Sequence, residues 1–342
     1  MKDIRDYSLL AHNTFGIDAK CKRFLEYSSV EEAQQIVAGL TAADQPLLIL
    51  GGGSNLLLTG DYEGTVIHSA IKGIKVLDNE KLHSSDSVFL SCGSGEVFDD
   101  VVAYAVEHGY HGAENLSIIP GEVGASAVQN IGAYGVEAKD IIYKVEAVEI
   151  ATGKVVVFDN QDCQYSYRQS RFKHEWKDKY LVTHVIYRLS KHFVPDLDYG
   201  NIRTSLAAKK IGNPTAQQLR DVIIEIRNAK LPDPKVQGNA GSFFMNPIVQ
   251  KAKYEELAAL YPGMPHYTID AEHEKIPAGW MIDQCGWKGQ SLGRAGVHDK
   301  QALVLVNRGG ATGEEIVNLC ETIRKDVKQK FGIDIHPEVN LR

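Results

Sequence analysis

The stretch Pro120-Gly121-Glu122-Val123-Gly124-Ala125-Ser126-Ala127-Val128-Gln129-Asn130-Ile131-Gly132-Ala133-Tyr134-Gly135 carries the strongest structural signal in the chain. Four glycines and three alanines fall within these sixteen positions. Glycine lets the backbone take positive φ and removes the Cβ, so successive N–H groups can converge on an anion such as a pyrophosphate. The stretch therefore predicts a loop that approaches a ligand closely, and a dinucleotide is the ligand class that it favours.

A second glycine cluster lies upstream. The apolar run 46–50 predicts a short buried strand that leads directly into Gly51-Gly52-Gly53-Ser54-Asn55. Leu56 stands where the third glycine of G-x-G-x-x-G belongs, and no G-x-x-x-x-G-K-[ST] occurs, so a Rossmann domain or a P-loop is not expected. The residues alone leave a second interpretation open, in which both clusters are tight turns of an ordinary fold.

Composition sets the class of protein. A chain of 342 residues is too long for one core, so two or three domains are expected. A formal net charge of -7 argues against a nucleic-acid partner. The N-terminal residues lack a signal-peptide core and no apolar run is long enough to span a bilayer, so we expect no membrane association and a cytoplasmic location. The five cysteines are scattered without a C-x-x-C pair, which predicts free thiols.

Helix and strand signals alternate along the chain, which is typical of a mixed α+β protein. Capping boxes predict helix starts at Ser29-x-x-Glu32, Thr215-x-x-Gln218 and Thr312-x-x-Glu315. A helical stripe covers Asp99 to His108, and the segment from Tyr143 to Phe158 predicts a hairpin. Phe243, Phe244 and Trp280 are expected in the core, and the His-Glu pairs at 174–175 and 273–274 lack the second histidine of a zinc motif, so no metal site is predicted.

Five blocks taken together are more specific than either glycine cluster. They are Leu50 to Leu56, Pro120 to Gly135, Tyr167 to Lys173, Leu231 to Pro234 leading into Gly238 to Pro247, and Pro337-Glu338-Val339. In this order and at these distances they resemble the UDP-N-acetylenolpyruvoylglucosamine reductase (MurB) family, flavoenzymes of bacterial cell-wall synthesis. The resemblance spans essentially the whole chain.

The resemblance implies a fold and a cofactor. It implies an FAD-binding domain of the vanillyl-alcohol-oxidase type in two subdomains, 1–68 and 69–198, and a C-terminal substrate-binding domain, 199–342. Glycine-rich loops would bind the pyrophosphate of FAD in place of a Rossmann turn. The implied cofactor-binding residues are Gly51, Gly52, Gly53, Ser54, Asn55, Pro120, Gly121, Val123, Gly124, Ala125, Ser126, Asn130, Gly132, Ala133, Tyr134, Gly135 and, as a nearby charge, Arg227.

The resemblance also implies three catalytic residues. Arg168 would stabilise charge on the substrate, Ser242 would act as the general acid, and Glu338 would orient or stabilise the intermediate. Without the family, Ser242 reads as part of a packed turn, and it does not lie in a G-x-S-x-G elbow. Arg168 and Glu338 likewise read as a structural ion-pair residue and a surface carboxylate.

Four further positions match the family's substrate-binding residues: Tyr199, Lys230, Asn246 and Gln301. Lysine supplies a point charge for a diphosphate. Tyrosine covers an apolar face of a ligand while its hydroxyl forms a hydrogen bond. Tyr199 falls within the segment that is characteristic of the type I subclass. Met245 is the visible departure, because lysine or another polar residue is expected there.

The expected activity is the NADPH-dependent reduction of UDP-N-acetylenolpyruvoylglucosamine to UDP-N-acetylmuramate through bound FAD. This oxidoreductase step belongs to peptidoglycan precursor synthesis, and hence to cell wall biogenesis, cell shape and cell division. The resemblance suggests a monomer. Two other classes stay open at this stage. One is an oxidase of the same flavin-domain superfamily, and the other is a catalytically silent nucleotide-sugar-binding protein without flavin.

Overall fold

The computed structural model describes residues 1–77 and 85–342. These residues fall into two units that are discontinuous in sequence. The first unit contains residues 1–7, 21–52 and 63–229, and the second contains residues 8–20, 53–62 and 230–342. The finer division into regions 1–68, 69–198 and 199–342 stays a prediction, and the contacts group residues 199–229 with the first unit.

The strands are as follows: β1 Lys2–Ser8, β2 Lys20–Tyr27, β3 Leu47–Leu50, β4 Leu56–Leu57, β5 Tyr62–Ser69, β6 Ile74–Val76, β7 Ser87–Gly93, β8 Gly132–Ala133, β9 Val136–Glu137, β10 Ile142–Glu149, β11 Val155–Asp159, β12 Tyr180–Ser190, β13 Ile248–Gln250, β14 Tyr267–Thr268, β15 His273–Lys275, β16 Ser291–Leu292, β17 Ala295–Val297, β18 Leu305–Asn307 and β19 Asn340–Leu341.

The α-helices are α1 Val30–Gly39, α2 Phe98–Glu107, α3 Val123–Gln129, α4 Ala138–Ile141, α5 Ile202–Ala208, α6 Ala216–Lys230, α7 Lys251–Leu260, α8 Ala278–Gln284 and α9 Gly313–Phe331. Short 3₁₀ turns cover Leu10–His12, Ala42–Asp44, Glu114–Leu116, Asn160–Cys163 and Arg171–Lys173.

One sheet of the first unit positions the upstream glycine cluster. Its strand order is β1-β2-β5-β3. β3 runs parallel to β5, with register pairs from Leu47↔Thr65 to Leu50↔His68. Parallel strands end at the same edge of a sheet, so the glycine turn that begins at Gly51 leaves the sheet beside His68. Helix α1 covers this sheet with an apolar face that includes Ile36 and Val37.

The other large sheet of the first unit supports the second glycine stretch. It has the order β11-β10-β12-β7-β6 and its pairs are antiparallel. Its core includes the fully buried side chains Leu90, Val145, Val185 and Tyr187. Helices α2 and α3 pack in the same core, α3 through Val123 and Ala127. The short helix inside the glycine stretch is therefore anchored on a rigid sheet.

The second unit is built around α9. The side chains of Ile316, Leu319, Ile323 and Val327 on one face of this helix are fully buried. Two three-stranded sheets, β13-β15-β14 and β16-β17-β18, and the parallel pair β19-β4 complete the unit.

All three predicted helix starts are confirmed, and the full capping box forms at two of them. Ser29 Oγ accepts from the Glu32 N–H at 3.2 Å, and Thr215 and Thr312 accept equivalently from the residues three positions later. The reciprocal bond to the N-cap N–H forms at Thr215 and Thr312, whereas the Glu32 carboxylate accepts from the Ser28 N–H. The helix predicted from Asp99 spans α2, one residue earlier at each end. The predicted hairpin is formed by β10 and β11.

The apolar core contains Phe243 and Phe244 as predicted, both almost fully buried, and Trp280 packs on Phe331 with ring centroids 5.5 Å apart. The five cysteines are free thiols. Within the described ranges, no helix is both long and apolar enough to cross a membrane.

Candidate cofactor and substrate site

The two glycine clusters approach each other closely within the first unit. A Cβ placed on Gly51 would lie 3.1 Å from Ala125 Cβ, and one placed on Gly52 would lie 3.4 Å from Gly121 Cα. The backbones of Gly52 and Gly121 therefore face each other directly, whereas Gly51 faces the side chains of Ala125 and Glu122. These contacts join the Gly51–Gly52 turn to the Gly121–Ala125 segment. We call this pair of segments the glycine cradle.

Helix α3 begins within the cradle, at Val123, and part of its first turn is used by the protein itself. The N–H groups of Val123 and Gly124 donate to Glu96 O at 2.9 Å and Ser94 O at 2.8 Å. The hydroxyl of Ser126 is fully buried and bonds Val123 O and the Tyr187 hydroxyl, each at 2.7 Å, and the Ser126 N–H donates to Glu122 O at 3.0 Å. These bonds shape the loop, and they leave neither the hydroxyl nor the N–H of Ser126 for a ligand.

Asn130 fixes the end of α3. It adopts the left-handed conformation with φ 45°, and its side chain is fully buried. Its amide donates to Ser166 O at 2.8 Å and Glu137 Oε2 at 3.2 Å, and its carbonyl accepts from the Lys139 N–H. Both amide hydrogens are thus satisfied within the protein, so Asn130 acts on this loop as an internal clamp.

The segment from Gly132 to Gly135 follows as a tight two-stranded ribbon. Gly132 pairs with Glu137 and Ala133 with Val136. Tyr134 has φ 50° and Gly135 has φ 86°, so the chain turns through the left-handed region at both positions.

Tyr199 lies against this ribbon within the same unit. A Cβ on Gly135 would come within 3.5 Å of Tyr199 Cβ, and the Tyr134 and Tyr199 rings meet edge to face at 6.3 Å. The buried amide of Asn115 ties the two segments together by donating to Tyr134 O at 2.8 Å and Asp196 O at 3.1 Å. The exposed Tyr199 ring is thereby placed at the predicted flavin loop.

Arg168 sits at the tip of a two-residue turn. Ser166 and Gln169 exchange two backbone hydrogen bonds at 3.1 and 3.0 Å, and Arg168 takes φ 57°. For a non-glycine residue this conformation costs about 1–2 kcal/mol. The Arg168 Nη2 group donates to Gly132 O at 2.8 Å, so the guanidinium is held against the ribbon.

Arg227, on α6, is the second cation of this region. Its Nε is buried and has no hydrogen-bond partner within residues 1–77 and 85–342. Burial lowers the pKa of its guanidinium and the charge of Arg168 acts in the same direction, while Tyr134 and Asp99 oppose the shift. A buried, unpaired N–H is costly unless a ligand completes it, and an anionic group would do so.

Gly53 and Asn55 belong to the second unit. A Cβ on Gly53, which has φ 62°, would lie 2.0 Å from His12 O, so only glycine fits there. The Asn55 amide donates to Glu338 O at 3.4 Å, and Asn55 O accepts from the backbone and side chain of Asn340 at 3.1 and 3.0 Å. Within the second unit, Asn55 is thus tied to the segment that carries Glu338.

Ser242 and Glu338 lie on neighbouring segments of the second unit. The Glu338 N–H donates to Phe243 O at 2.8 Å, and Phe244 forms an antiparallel bridge with Pro337. Ser242 is exposed, whereas the two phenylalanines that follow it are buried. Two of the three predicted catalytic residues are therefore brought together by backbone pairing.

Asn246 and Gln301 each lie against the start of α8. Asn246 Oδ1 accepts from the Ala278 N–H at 2.9 Å, and Gln301 Oε1 lies 3.0 Å from the Cβ position of Gly279. Lys230 is exposed at the last residue of α6. Asn246 and Gln301 are therefore grouped on the second unit, and Lys230 lies where the chain enters that unit.

The residues present fit the cofactor that the resemblance implies. Gly51, Gly52 and Gly121 carry no Cβ, which suits close approach of the backbone to a pyrophosphate, and the unsatisfied Arg227 Nε suits an anionic group nearby. One cradle residue escaped the sequence analysis. Glu122 Oε2 is buried without a partner in the described part of the chain, and it lies 3.5 Å from the Cβ position of Gly51. No spacing rule points to this carboxylate, because its contact with Gly51 is created only by the fold.

Comparison with known proteins agrees with the two halves of this description. Residues 22–159 match the model of an FAD-binding domain, and residues 233–342 match the model of the UDP-N-acetylenolpyruvoylglucosamine reductase C-terminal domain. The fold is α+β, with an FAD-binding domain followed by the C-terminal domain of UDP-N-acetylenolpyruvoylglucosamine reductases.

Relatives cover nearly the whole chain. The UDP-N-acetylenolpyruvoylglucosamine reductase of Bacteroides fragilis is 57% identical over 335 residues, covering 98% of each chain. That of Porphyromonas gingivalis is 47% identical over 338 residues, also covering 98% of each chain. The crystal structure of the Thermus caldophilus enzyme shares the fold with a TM-score of 0.67 at 20% identity, over 99% of this chain and 98% of that one. The chain belongs to the UDP-N-acetylenolpyruvoylglucosamine reductase family.

Proposed function

We propose that this protein reduces UDP-N-acetylenolpyruvoylglucosamine to UDP-N-acetylmuramate with NADPH, through bound FAD, as a step in peptidoglycan precursor synthesis. The observation that carries the proposal is the 57% identity to a reductase of that name over 98% of both chains. The backbone pairing that brings Ser242 beside Glu338 supports it independently.

The glycine cradle and Arg227 would hold the cofactor. Bound FAD would supply the redox chemistry, storing a hydride from NADPH and passing it to the enolpyruvyl group of the substrate. The protein's share is orientation and electrostatics. Gly51, Gly52 and Gly121 allow close backbone approach to the pyrophosphate, and Arg227 offers its unpaired Nε to an anionic group.

Ser242 would supply the proton. Reduction of an enolpyruvyl ether leaves negative charge on the carbon next to the carboxylate, and the Ser242 Oγ–H would donate to that carbon. The serine is held on both sides. Asn239 Oδ1 accepts from the Gly241 N–H at 2.9 Å, and the Phe243 N–H donates to Leu303 O at 2.8 Å. Such anchoring fixes the position of the donor, and geometry is the first requirement for a general acid.

Arg168 would stabilise the developing charge. A fixed cation directed at such charge contributes about 3–4 kcal/mol to transition-state stabilisation. The turn that places Arg168 at positive φ, and the bond from its Nη2 to Gly132 O, hold the guanidinium in one direction before substrate arrives. The backbone strain at this residue is consistent with a functional position.

Glu338 and four further residues would orient the substrate. Glu338 is fixed by two backbone bonds, from its N–H to Phe243 O and from the Asn55 amide to its carbonyl. Tyr199, Lys230, Asn246 and Gln301 would contact the UDP-sugar, with Lys230 as the charge for the diphosphate. We also propose that the protein works as a monomer in the cytoplasm.

Product analysis tests the proposal. The FAD-loaded protein is incubated with NADPH and UDP-N-acetylenolpyruvoylglucosamine, and the nucleotide sugar is analysed by mass spectrometry. We expect a product that carries two more hydrogens, with NADPH consumed one for one. NADPH oxidation that consumes oxygen and leaves the sugar unchanged would contradict the proposal and favour an oxidase.

A further inference from the structure

A buried histidine lies between two carboxylates at the edge of the glycine cradle. His68, the penultimate residue of β5, is 8% exposed. Its Nδ1 lies 3.0 Å from Glu26 Oε2 and its Nε2 lies 3.2 Å from Glu122 Oε1. All three residues belong to the first unit. Neither the family's catalytic chemistry nor its predicted cofactor residues use this cluster.

This geometry specifies the protonation state of the ring. Each ring nitrogen faces a carboxylate oxygen, and a carboxylate can only accept, so both nitrogens must carry hydrogen. A neutral imidazole has one N–H and would turn a lone pair towards one of the two carboxylates. The arrangement is therefore complete only when His68 is an imidazolium.

The surrounding charges favour that state. Burial alone would lower the pKa of His68, but its bonds to Glu122 and Glu26 outweigh burial and raise it. Burial would raise the pKa of Glu26, yet Lys2 and His68 lower it overall. Lys2 Nζ lies 2.6 Å from Glu26 Oε1, so Glu26 is an ionised partner of two cations.

Two neutral aromatic side chains of β2 lie near this cluster. The Phe24 ring stacks on the imidazole with centroids 6.1 Å apart and an interplanar angle of 26°. The charge of Glu122 acts on the phenol of Tyr27, but the hydroxyl of Tyr27 donates to Val182 O and burial raises its pKa. The charged groups that bond His68 include Glu26 and Glu122, and Lys2 acts through Glu26.

Glu122 connects the histidine to the cradle. It is the residue before α3, and its side chain packs on the opposite glycine turn, with Cγ 3.6 Å from the Cβ position of Gly52. Its second oxygen, Oε2, points towards Gly51 and is buried without a partner in the part of the chain described. An uncompensated carboxylate at this place would repel a pyrophosphate, and the repulsion is strong where water is excluded.

We propose that His68, as an imidazolium, is a positioning residue for the pyrophosphate of FAD. It neutralises Glu122 and fixes that residue against the Gly51–Gly52 turn, so the two halves of the cradle keep their spacing. Loss of its proton leaves two carboxylates without their shared cation and weakens the hold on the cofactor. This inference rests on the proposed function, because it presumes that the cradle holds FAD.

The direction of the pH effect follows from the charge of the ligand. A pyrophosphate stabilises the charged ring, so the pKa of His68, already raised by Glu122 and Glu26, is raised further in the complex. FAD binding is strongest below the pKa of His68 in the free protein and weakens as pH rises through the pKa of the complex. FAD should therefore bind most tightly at mildly acidic pH and dissociate more readily at alkaline pH.

The test is the dissociation constant of FAD measured between about pH 6 and pH 9, the window in which histidine charge changes. Holoenzyme is diluted, released flavin is followed by its fluorescence, and circular dichroism checks the fold at each pH. We expect the constant to rise by at least about fivefold across this range, the lower end of typical coupling between sites.

Glu122→Gln is the decisive variant. With glutamine at 122, a neutral ring can donate from Nδ1 to Glu26 and accept the carboxamide N–H at Nε2, so every group is satisfied without the extra proton. We expect the pH dependence to disappear in this variant. His68→Gln should weaken FAD binding at pH 6 and should also remove the pH dependence of the dissociation constant.

His111→Gln is the matched control. His111 also bonds a buried glutamate in the first unit, with Nδ1 2.9 Å from Glu114 Oε1, but Glu114 lies outside the cradle. It should retain the wild-type pH profile. The inference would be overturned if the wild-type dissociation constant of FAD did not change with pH. It would also be overturned if the Glu122→Gln variant kept the wild-type pH dependence, or if the His111→Gln control lost it. A protein that binds no flavin at any pH would instead overturn the proposed function itself.

Discussion

Replacing Ser242 with alanine removes one hydroxyl from an exposed but firmly held position. Within the described residues this hydroxyl makes no hydrogen bond, and the bonds that fix the loop belong to the backbones of Gly241 and Phe243. The substitution should therefore change the free energy of unfolding by less than about 0.5 kcal/mol, as is usual for a surface site.

The same change should strongly slow one half of the reaction. General acid catalysis contributes about 10²–10⁴-fold, or roughly 3–5 kcal/mol in the barrier. The proton from Ser242 is needed only when the enolpyruvyl group is reduced. Anaerobic stopped-flow absorbance can measure the two half-reactions separately. We expect flavin reduction by NADPH at the wild-type rate and flavin reoxidation by the UDP-sugar slowed by at least about 10²-fold.

Ser242→Cys serves as the matched control, because a thiol keeps a proton donor at nearly the same place. It should recover part of the lost rate in the second half-reaction. Equal slowing of both half-reactions by Ser242→Ala would refute the role of general acid, as would a second half-reaction that proceeds at the wild-type rate.

Two further predictions concern the framework that holds the site. Gly238→Ala places a Cβ 2.1 Å from Phe15 O, and we expect the free energy of unfolding, measured with urea, to fall by about 3 kcal/mol or more. Gly212 has open space around it, so Gly212→Ala should change the free energy of unfolding little. Arg220→Met breaks a bidentate pair with Asp99, whose N–O distances are 2.7 and 2.9 Å. It should cost about 3 kcal/mol, the lower end for a buried pair, because Asp99 loses its counter-ion but keeps the Ile118 N–H at 2.6 Å. Unchanged unfolding midpoints for Gly238→Ala or Arg220→Met would contradict these assignments.

Local signals predicted much of the fold. Capping boxes at Ser29, Thr215 and Thr312 depend only on residues three apart, so the sequence suffices to place the starts of α1, α6 and α9. The strand at Leu47 and the hairpin at β10 and β11 follow equally from short apolar patterns. Close approach of the backbone to another segment or a ligand was also predictable at the glycine clusters, because glycine has no Cβ to keep a neighbour away.

Long-range partners were not predictable. The sequence offers no sign that the Ser126 hydroxyl bonds Tyr187, or that both amide hydrogens of Asn130 are used by the protein. The pairing of Glu26, His68 and Glu122 joins three elements that lie far apart in the chain. Such contacts are set by sheet register and helix docking, so they appear only when the fold is known.

Reduction of the UDP-sugar through bound FAD is tested by the visible spectrum of the purified protein under anaerobic conditions. NADPH is added first and UDP-N-acetylenolpyruvoylglucosamine second. We expect flavin bands that bleach with NADPH and return in full with the UDP-sugar. Absence of flavin bands after reconstitution with FAD, or bleached bands that the UDP-sugar does not restore, would contradict it.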